Sequence, residues 1–227
     1  MGDRIVSEAN ERALLLVGSP KGLEKSNSAR LGRLLVGELE KRGWTSEAIH
    51  LHESVRSDAG LQAMLEAIDR ASVVVLASPL YVDSLPAPTI HAMERIAAHR
   101  AAAADAMRWR PRLVTLINCG FLEAHQNDTC QAILRRFAEQ GRLDWAGGVS
   151  IGAGGAATKR TRRAFELLAE SIHLELLIPD EVESMTRKRV MPPWLYVLGG
   201  NVMWRRWAAN NGVKEKLKDR PYARTDR

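Results

Sequence analysis

The residues best suited to chemistry stand at Gly18-Ser-Pro-Lys-Gly-Leu-Glu-Lys-Ser-Asn-Ser28, between an apolar run, Ala13-Leu-Leu-Leu-Val17, and a helical pattern. An apolar strand that ends in Gly, Ser and Asn and feeds a helix N-terminus aims backbone N–H groups and hydroxyls at one point. The helix dipole favours negative charge there as well. The chemistry implied is capture of a phosphate. Neither G-x-x-x-x-G-K-S/T nor G-x-G-x-x-G occurs in this first turn, so the loop is of the kind that holds a phosphate without magnesium. The alternative is an ordinary strand-to-helix connection in which Ser26, Asn27 and Ser28 supply an N-cap.

The elements that must position this loop follow from periodicity. Short apolar runs predict strands over Leu14–Val17, Ser46–Leu51, Val73–Ala77, Leu113–Ile117 and Trp145–Ile151. Between them, apolar residues at helical spacing predict helices over about 28–42, 59–70, 86–107, 128–140 and 161–174. Five β-α units without a repeat make an α/β fold, an open, doubly wound parallel sheet with helices on both faces. Ligands of such sheets bind outside the carboxyl ends of the strands, where the strand order reverses.

The loops to inspect therefore follow strands one, three and four. After strand three comes Ser78-Pro-Leu-Tyr-Val-Asp-Ser-Leu-Pro-Ala-Pro88, whose Tyr81 offers a flat face beside prolines that stiffen the backbone. After strand four comes Asn118-Cys-Gly-Phe-Leu-Glu-Ala-His-Gln-Asn-Asp128, which sets Asn118, Gly120 and several amides beside an aromatic ring. That combination suits the edge of a heteroaromatic ligand.

Gly18-Ser-Pro with Ser26-Asn-Ser28, then Ser78-Pro-Leu-Tyr-Val-Asp83, then Asn118-Cys-Gly-Phe-Leu-Glu123 resemble the NAD(P)H-dependent FMN reductase branch of the flavodoxin-like superfamily over about residues 13–155. Arg220-Pro-Tyr222, after Gly199-Gly-Asn-Val-Met-Trp204, resembles tails of some members. The resemblance implies a five-stranded sheet of order 2-1-3-4-5, with residues 1–178 as the FMN-binding domain. Residues 179–227 would form a C-terminal helical extension with an apolar, Trp-rich helix and a basic tail.

It further implies that Ser19, Lys21, Ser26, Asn27 and Ser28 surround the FMN phosphate. Pro79, Leu80, Tyr81 and Val82 would line the isoalloxazine, with Asn118, Gly120 and Phe121 on its other polar edge. Two departures stand out: Lys21 replaces the arginine of many relatives, a point charge without the bidentate fork, and Asp83 stands where several have Asn or a bulky aromatic. The implied reaction moves a hydride from NADH or NADPH to the flavin and on to a small acceptor, such as a quinone, a flavin, a nitro or azo compound, or a metal ion. It requires no side-chain acid or base, and backbone N–H groups after strands three and four are expected to stabilise negative charge on the reduced ring. A flavodoxin-type electron carrier and a flavin-free scaffold on the same fold are the alternatives.

The chain has 227 residues, 45% of them hydrophobic, enough for one full core and an appendage. Residues 1–12 are polar and charged, with no signal-like apolar run, and Gly2 lacks the Ser or Thr that myristoylation would want. Cys119 and Cys130 form neither a disulfide framework nor a metal spacing, so a reducing cytoplasm is expected. Eight Lys or Arg against three acids between Arg205 and Arg227 carry nearly all of the net charge of +6. The body is almost neutral, and no nucleic acid partner is expected.

Other signals are set aside. Gly152-Ala-Gly-Gly-Ala-Ala157 fits G-x-G-x-x-A but is followed by no strand with a ribose-binding acid, so a flexible connection is expected. Lys159, Arg160, Arg162 and Arg163 make a solvated basic face rather than a contact to a substrate phosphate. His50 and His52 form an H-x-H without carboxylate or cysteine partners for a metal. His125 is expected to be structural or solvent-facing, and Cys119 a buried filler. Trp194–Trp207 holds three of the six tryptophans before the basic run. It is too short to span a bilayer, which leaves packing on the body or a twin subunit in a homo-oligomer, or peripheral contact with an anionic membrane surface.

Overall fold

Alternation along the strands sorts the apolar side chains into two cores. In the computed structural model, which describes residues 11–103 and 109–219, β1 (Arg12–Val17) directs Ala13, Leu15 and Val17 to one face and Leu14 and Leu16 to the other. β3 (Val73–Pro79) divides likewise, Val73, Val75 and Ala77 against Val74 and Leu76, and so does β4 (Arg112–Asn118). Burial on both faces suits strands flanked on both sides. β1, β3 and β4 accordingly lie inside a five-stranded, all-parallel sheet of order β2-β1-β3-β4-β5, with β2 (Thr45–His50) and β5 (Asp144–Ile151) at its edges.

One face is covered by α2 (Asn27–Glu40) and α7 (Lys159–His173), the other by α4 (Asp58–Arg70), α5 (Ala87–Ala102) and α6 (Asp128–Gln140). Gly32 lets α2 approach closely: a Cβ there would lie 2.4 Å from Leu15 Cδ1. The expected order, strands and main helices are all present. Two short helices, α1 (Gly22–Lys25) and α3 (Leu51–Ser54), were not expected, and the second strand stops at His50 because Leu51 opens α3. α5 ends at Ala102, short of the predicted end at Met107, whose last residues, 104–107, lie outside the described residues. So do the N-terminal ten residues and the tail from Arg220, with Arg220-Pro-Tyr222.

The chain divides into two compact units, Met1–Val190 and Met191–Arg227. α8 (Asp180–Arg187), which lies beyond the sequence boundary at 178/179, packs on α7 and β5. In the second unit α9 (Pro193–Asn210) starts with proline in its first turn, a position that needs no N–H donor. It exposes Trp194, Val197, Leu198, Trp204 and Trp207, the last two edge to face at 5.3 Å. Among the described residues no helix is long and apolar enough to cross a membrane.

Candidate functional site

Parallel strands end together, and at the carboxyl ends of β1, β3 and β4 the three loops interlock. Gly18 continues the β1 pairing by donating its N–H to Ala77 O at 2.9 Å, and its own carbonyl accepts from Thr89 Oγ1 at 3.0 Å. The loop after β1 is thus tied to α5, which begins just after the loop that follows β3. Leu80 N donates to Asn118 O at 2.9 Å, joining the second loop to the third. The Ser28 hydroxyl donates to Asn118 Oδ1 at 2.7 Å, in the interior, and joins the third loop to the first.

Within the first loop, Ser19 is buried and its Oγ accepts the Lys21 N–H at 3.3 Å, while Lys21 itself is exposed. Ser26 is a buried N-cap whose hydroxyl accepts the Ala29 N–H at 3.2 Å, so the capping role and a place beside the helix N-terminus coincide. Asn27 is exposed and donates its amide to Gly154 O at 2.7 Å. Ser28, 1% exposed, is turned to Asn118.

In the second loop, Tyr81 and Ser84 exchange backbone hydrogen bonds of 2.9 and 3.0 Å around Val82 (φ 48°) and Asp83 (φ 59°). Two positive φ values make a type I′ turn, which asks for Asn-Gly rather than a β-branched residue. The turn holds Tyr81 and Val82 out toward solvent, Val82 at 97% exposure. Replacing Val82-Asp83 by Asn-Gly should raise the unfolding free energy by about 1–2 kcal/mol by relieving that backbone conformation. An unchanged denaturant midpoint would show the turn to be unstrained. Pro79 and Leu80, half-buried, lead into it.

The third loop leaves Asn118 buried, Gly120 with open space where a side chain would be, and Phe121 exposed. Burial pushes the Cys119 thiol up, with its sulfur 3.7 Å from Phe121 O and Glu123 O, as suits a packed filler. Arg187, at the end of α8, holds Asp128 at 2.7 Å, and Arg189 holds Glu123 at 3.1 Å. The segment beyond residue 178 therefore braces the third loop. His125 is exposed.

The Gly152–Ala157 connection is not the flexible loop expected. Ala153 N and Gly154 N donate to Phe121 O and Cys119 O at 2.6 and 2.8 Å, and Arg30 Nη2 donates to Gly155 O at 2.9 Å. Its glycines admit close backbone approach and positive φ within the protein. Arg160 leaves the expected solvated face to bond Met185 O and Lys188 O, holding the end of α8.

His50 and His52 do not share a strand face. Their rings stack at 5.4 Å, and each Nε2–H donates to a carbonyl of the first loop, His50 to Ser19 O at 2.7 Å and His52 to Gly18 O at 3.2 Å. The sequence shows the pair but neither metal partners nor these carbonyls. Among the described residues no metal-binding cluster occurs. No local pattern marks Thr89 at all.

Burial, then His50 and Arg56, push the His52 pKa below 6.5 against the opposing pull of Gly18 O. The unfolded chain then binds the proton better, so His52 contributes stability that is full above 6.5 and is lost as pH falls through its folded value. As pH falls from 6.5 through the folded value, the wild type should lose melting temperature relative to His52→Gln, and the difference should level off at lower pH. Parallel curves would contradict the shift.

Three tied loops at the switch point of a doubly wound sheet define a nucleotide-binding α/β protein of flavodoxin type. The model of the NADPH-dependent FMN reductase family matches residues 12–157, and the chain belongs to that family, as a flavin-dependent oxidoreductase. No curated protein matches it. Among solved structures, an apo NADH:FMN oxidoreductase is similar at 15% identity and TM-score 0.55, over 82% of this chain and 98% of that one. The flavodoxin of Streptococcus pneumoniae TIGR4 is similar at 14% and 0.53, over 73% and 99%. The rubredoxin oxygen:oxidoreductase of Desulfovibrio gigas is similar at 11% and 0.52 over 78% of this chain, which spans 38% of that longer protein. At these identities the likeness is one of fold.

The residues present fit FMN, the flavin of this fold and family. Exposed Tyr81, Val82 and Phe121 stand on the second and third loops, Gly120 leaves open space, and exposed Lys21, at the start of α1, supplies positive charge on the first loop.

Proposed function

We propose that the protein binds FMN at this rim and catalyses hydride transfer from NADH or NADPH to a small acceptor, a quinone, a flavin, a nitro or azo compound, or a metal ion. The observation that carries the proposal is the mutual tying of the three loops, Gly18 to Thr89, Leu80 to Asn118, and Ser28 to Asn118. Bound FMN supplies the hydride chemistry.

The chain supplies position. Ser19, Lys21, Ser26 and Asn27 surround the phosphate, Lys21 by charge and the others from the loop and the α2 N-terminus, while Ser28 acts by fixing Asn118. Pro79, Leu80, Tyr81 and Val82 line one side of the ring, and Asn118, Gly120 and Phe121 the other edge. Purified protein should show the visible absorption of a flavin and bleach anaerobically on addition of NADH or NADPH. A protein that takes up FMN but is not reduced by either would be an electron carrier.

We also propose a homo-oligomer in a reducing cytoplasm, with α9 covered by a second copy. Its apolar residues lie on opposite sides of the helix, whereas a helix lying on a membrane keeps one polar face. Light scattering should give more than a monomer's mass. Flotation with anionic vesicles would favour the membrane instead.

A further inference from the structure

The two histidines that the metal reading discards are placed where the first loop needs support. β2 runs one register beside β1, pairing His50 with Val17, so the His50 ring stands next to the first residues beyond β1. The single turn of α3 then brings His52 back onto it, with ring planes 8° from parallel. A carbonyl can only accept, so each ring holds a proton on its Nε2. Gly18 O and Ser19 O are successive carbonyls, and each is held by one ring. Thr89 Oγ1 adds a further donor to Gly18 O, and Gly18 has no room for a Cβ, which would lie 2.6 Å from that hydroxyl.

A carbonyl fixed in direction fixes its peptide plane. No cis peptide bond occurs among the described residues, so the Ser19 N–H points opposite to Gly18 O, away from the histidines. The Ser19–Pro20 peptide has no N–H, but anchoring Ser19 O sets the path of Pro20 and so the start of Lys21. Glu53, 3.1 Å from His50 Nδ1, and Arg56, beside His52, are the charged neighbours on the same segment. From α5, Thr89 reaches the loop, while His91 and Glu94 pair with each other at 3.6 Å.

We propose that His50 and His52 are positioning residues for the flavin phosphate. They hold Gly18 O and Ser19 O so that the Ser19 N–H and the Lys21 side chain are presented to the anion. The proposal rests on the FMN reading above and adds to it the residues that shape the phosphate end, apart from the ring end.

The test compares FMN with riboflavin, which has the same ring and no phosphate, by quenching of flavin fluorescence on titration with apoprotein. Asn places its amide nitrogen near the Nδ1 position, too short to reach the loop carbonyls, whereas Gln places it near Nε2. His50→Asn and His52→Asn should weaken FMN about tenfold or more and riboflavin less than about twofold. His50→Gln and His52→Gln should restore FMN affinity. Thr89→Val, which removes the third donor, should show the same selectivity for FMN. Unchanged FMN affinity in the Asn variants, equal weakening of both flavins, or failure of Gln to restore binding would overturn the proposal. If the wild type binds neither flavin, the FMN reading itself fails, a distinct result.

Discussion

Arg100→Met is expected to lower the unfolding free energy by about 3–5 kcal/mol, the range for removing one member of a buried ion pair. Arg100 lies on the buried face of α5 and is 1% exposed. Its Nη1 bonds Asp69 Oδ1 at 2.8 Å, its Nε bonds Gly141 O at 2.9 Å, and its Nη2 bonds Trp109 O and Arg142 O at 2.9 and 3.2 Å. One guanidinium thus joins α4, α5, the turn after α6 and the approach to β4. Burial pushes its pKa down and Asp69 pulls it up, without changing its charge at neutral pH. Methionine fills the space but leaves Asp69 to His99 alone, at 2.7 Å, and strands the carbonyls. Arg100→Lys should recover little, because one ammonium cannot reach several diverging acceptors. The double variant with Asp69→Leu should recover part of the loss, since no orphaned carboxylate remains. Chemical denaturation of the set checks this, and a single variant within about 1 kcal/mol of wild type would contradict it.

Gly152→Ala is expected to cost about 3 kcal/mol and to open the third loop, at the upper end of the range for overpacking. A Cβ at residue 152 would lie 2.4 Å from Leu122 O and 2.9 Å from Leu122 C, backbone atoms that cannot rotate aside as a side-chain end would. The same approach lets Ala153 N reach Phe121 O and Gly154 N reach Cys119 O, so the displacement should pass to Phe121 and Gly120. FMN affinity should fall along with stability, and by the same reasoning riboflavin affinity should fall too, unlike in the histidine variants. A melting temperature equal to wild type would show that the loop shifts freely. Gly154→Ala, which meets no atom within 4 Å, isolates the cost of positive φ (71°) from that of crowding.

Much of the site's location was legible because it depends on strand ends. Apolar runs such as Val73–Ala77 and Leu113–Ile117 betray buried parallel strands, and loops that follow such strands gather at one edge whatever their detail. What escaped was direction. Ser26, Asn27 and Ser28 read alike as hydroxyl or amide donors, yet one caps a helix, one clasps Gly154, and one turns inward to Asn118. The H-x-H at His50 and His52 is visible in the sequence, but its partners, two backbone carbonyls 31 and 34 residues earlier in the chain, carry no side-chain signature. Arg160 looked like solvated charge until the end of α8 was found against it.

Residue order alone therefore determined the class of fold, the strand sequence and the three loops, because hydrophobic periodicity is a local property that burial enforces. Tertiary structure decided which groups in those loops face inward to hold the frame and which remain exposed. Hydrogen bonds between residues as far apart as Ser28 and Asn118, or Asn27 and Gly154, form only when the sheet has brought the strand ends together. No spacing along the chain encodes them.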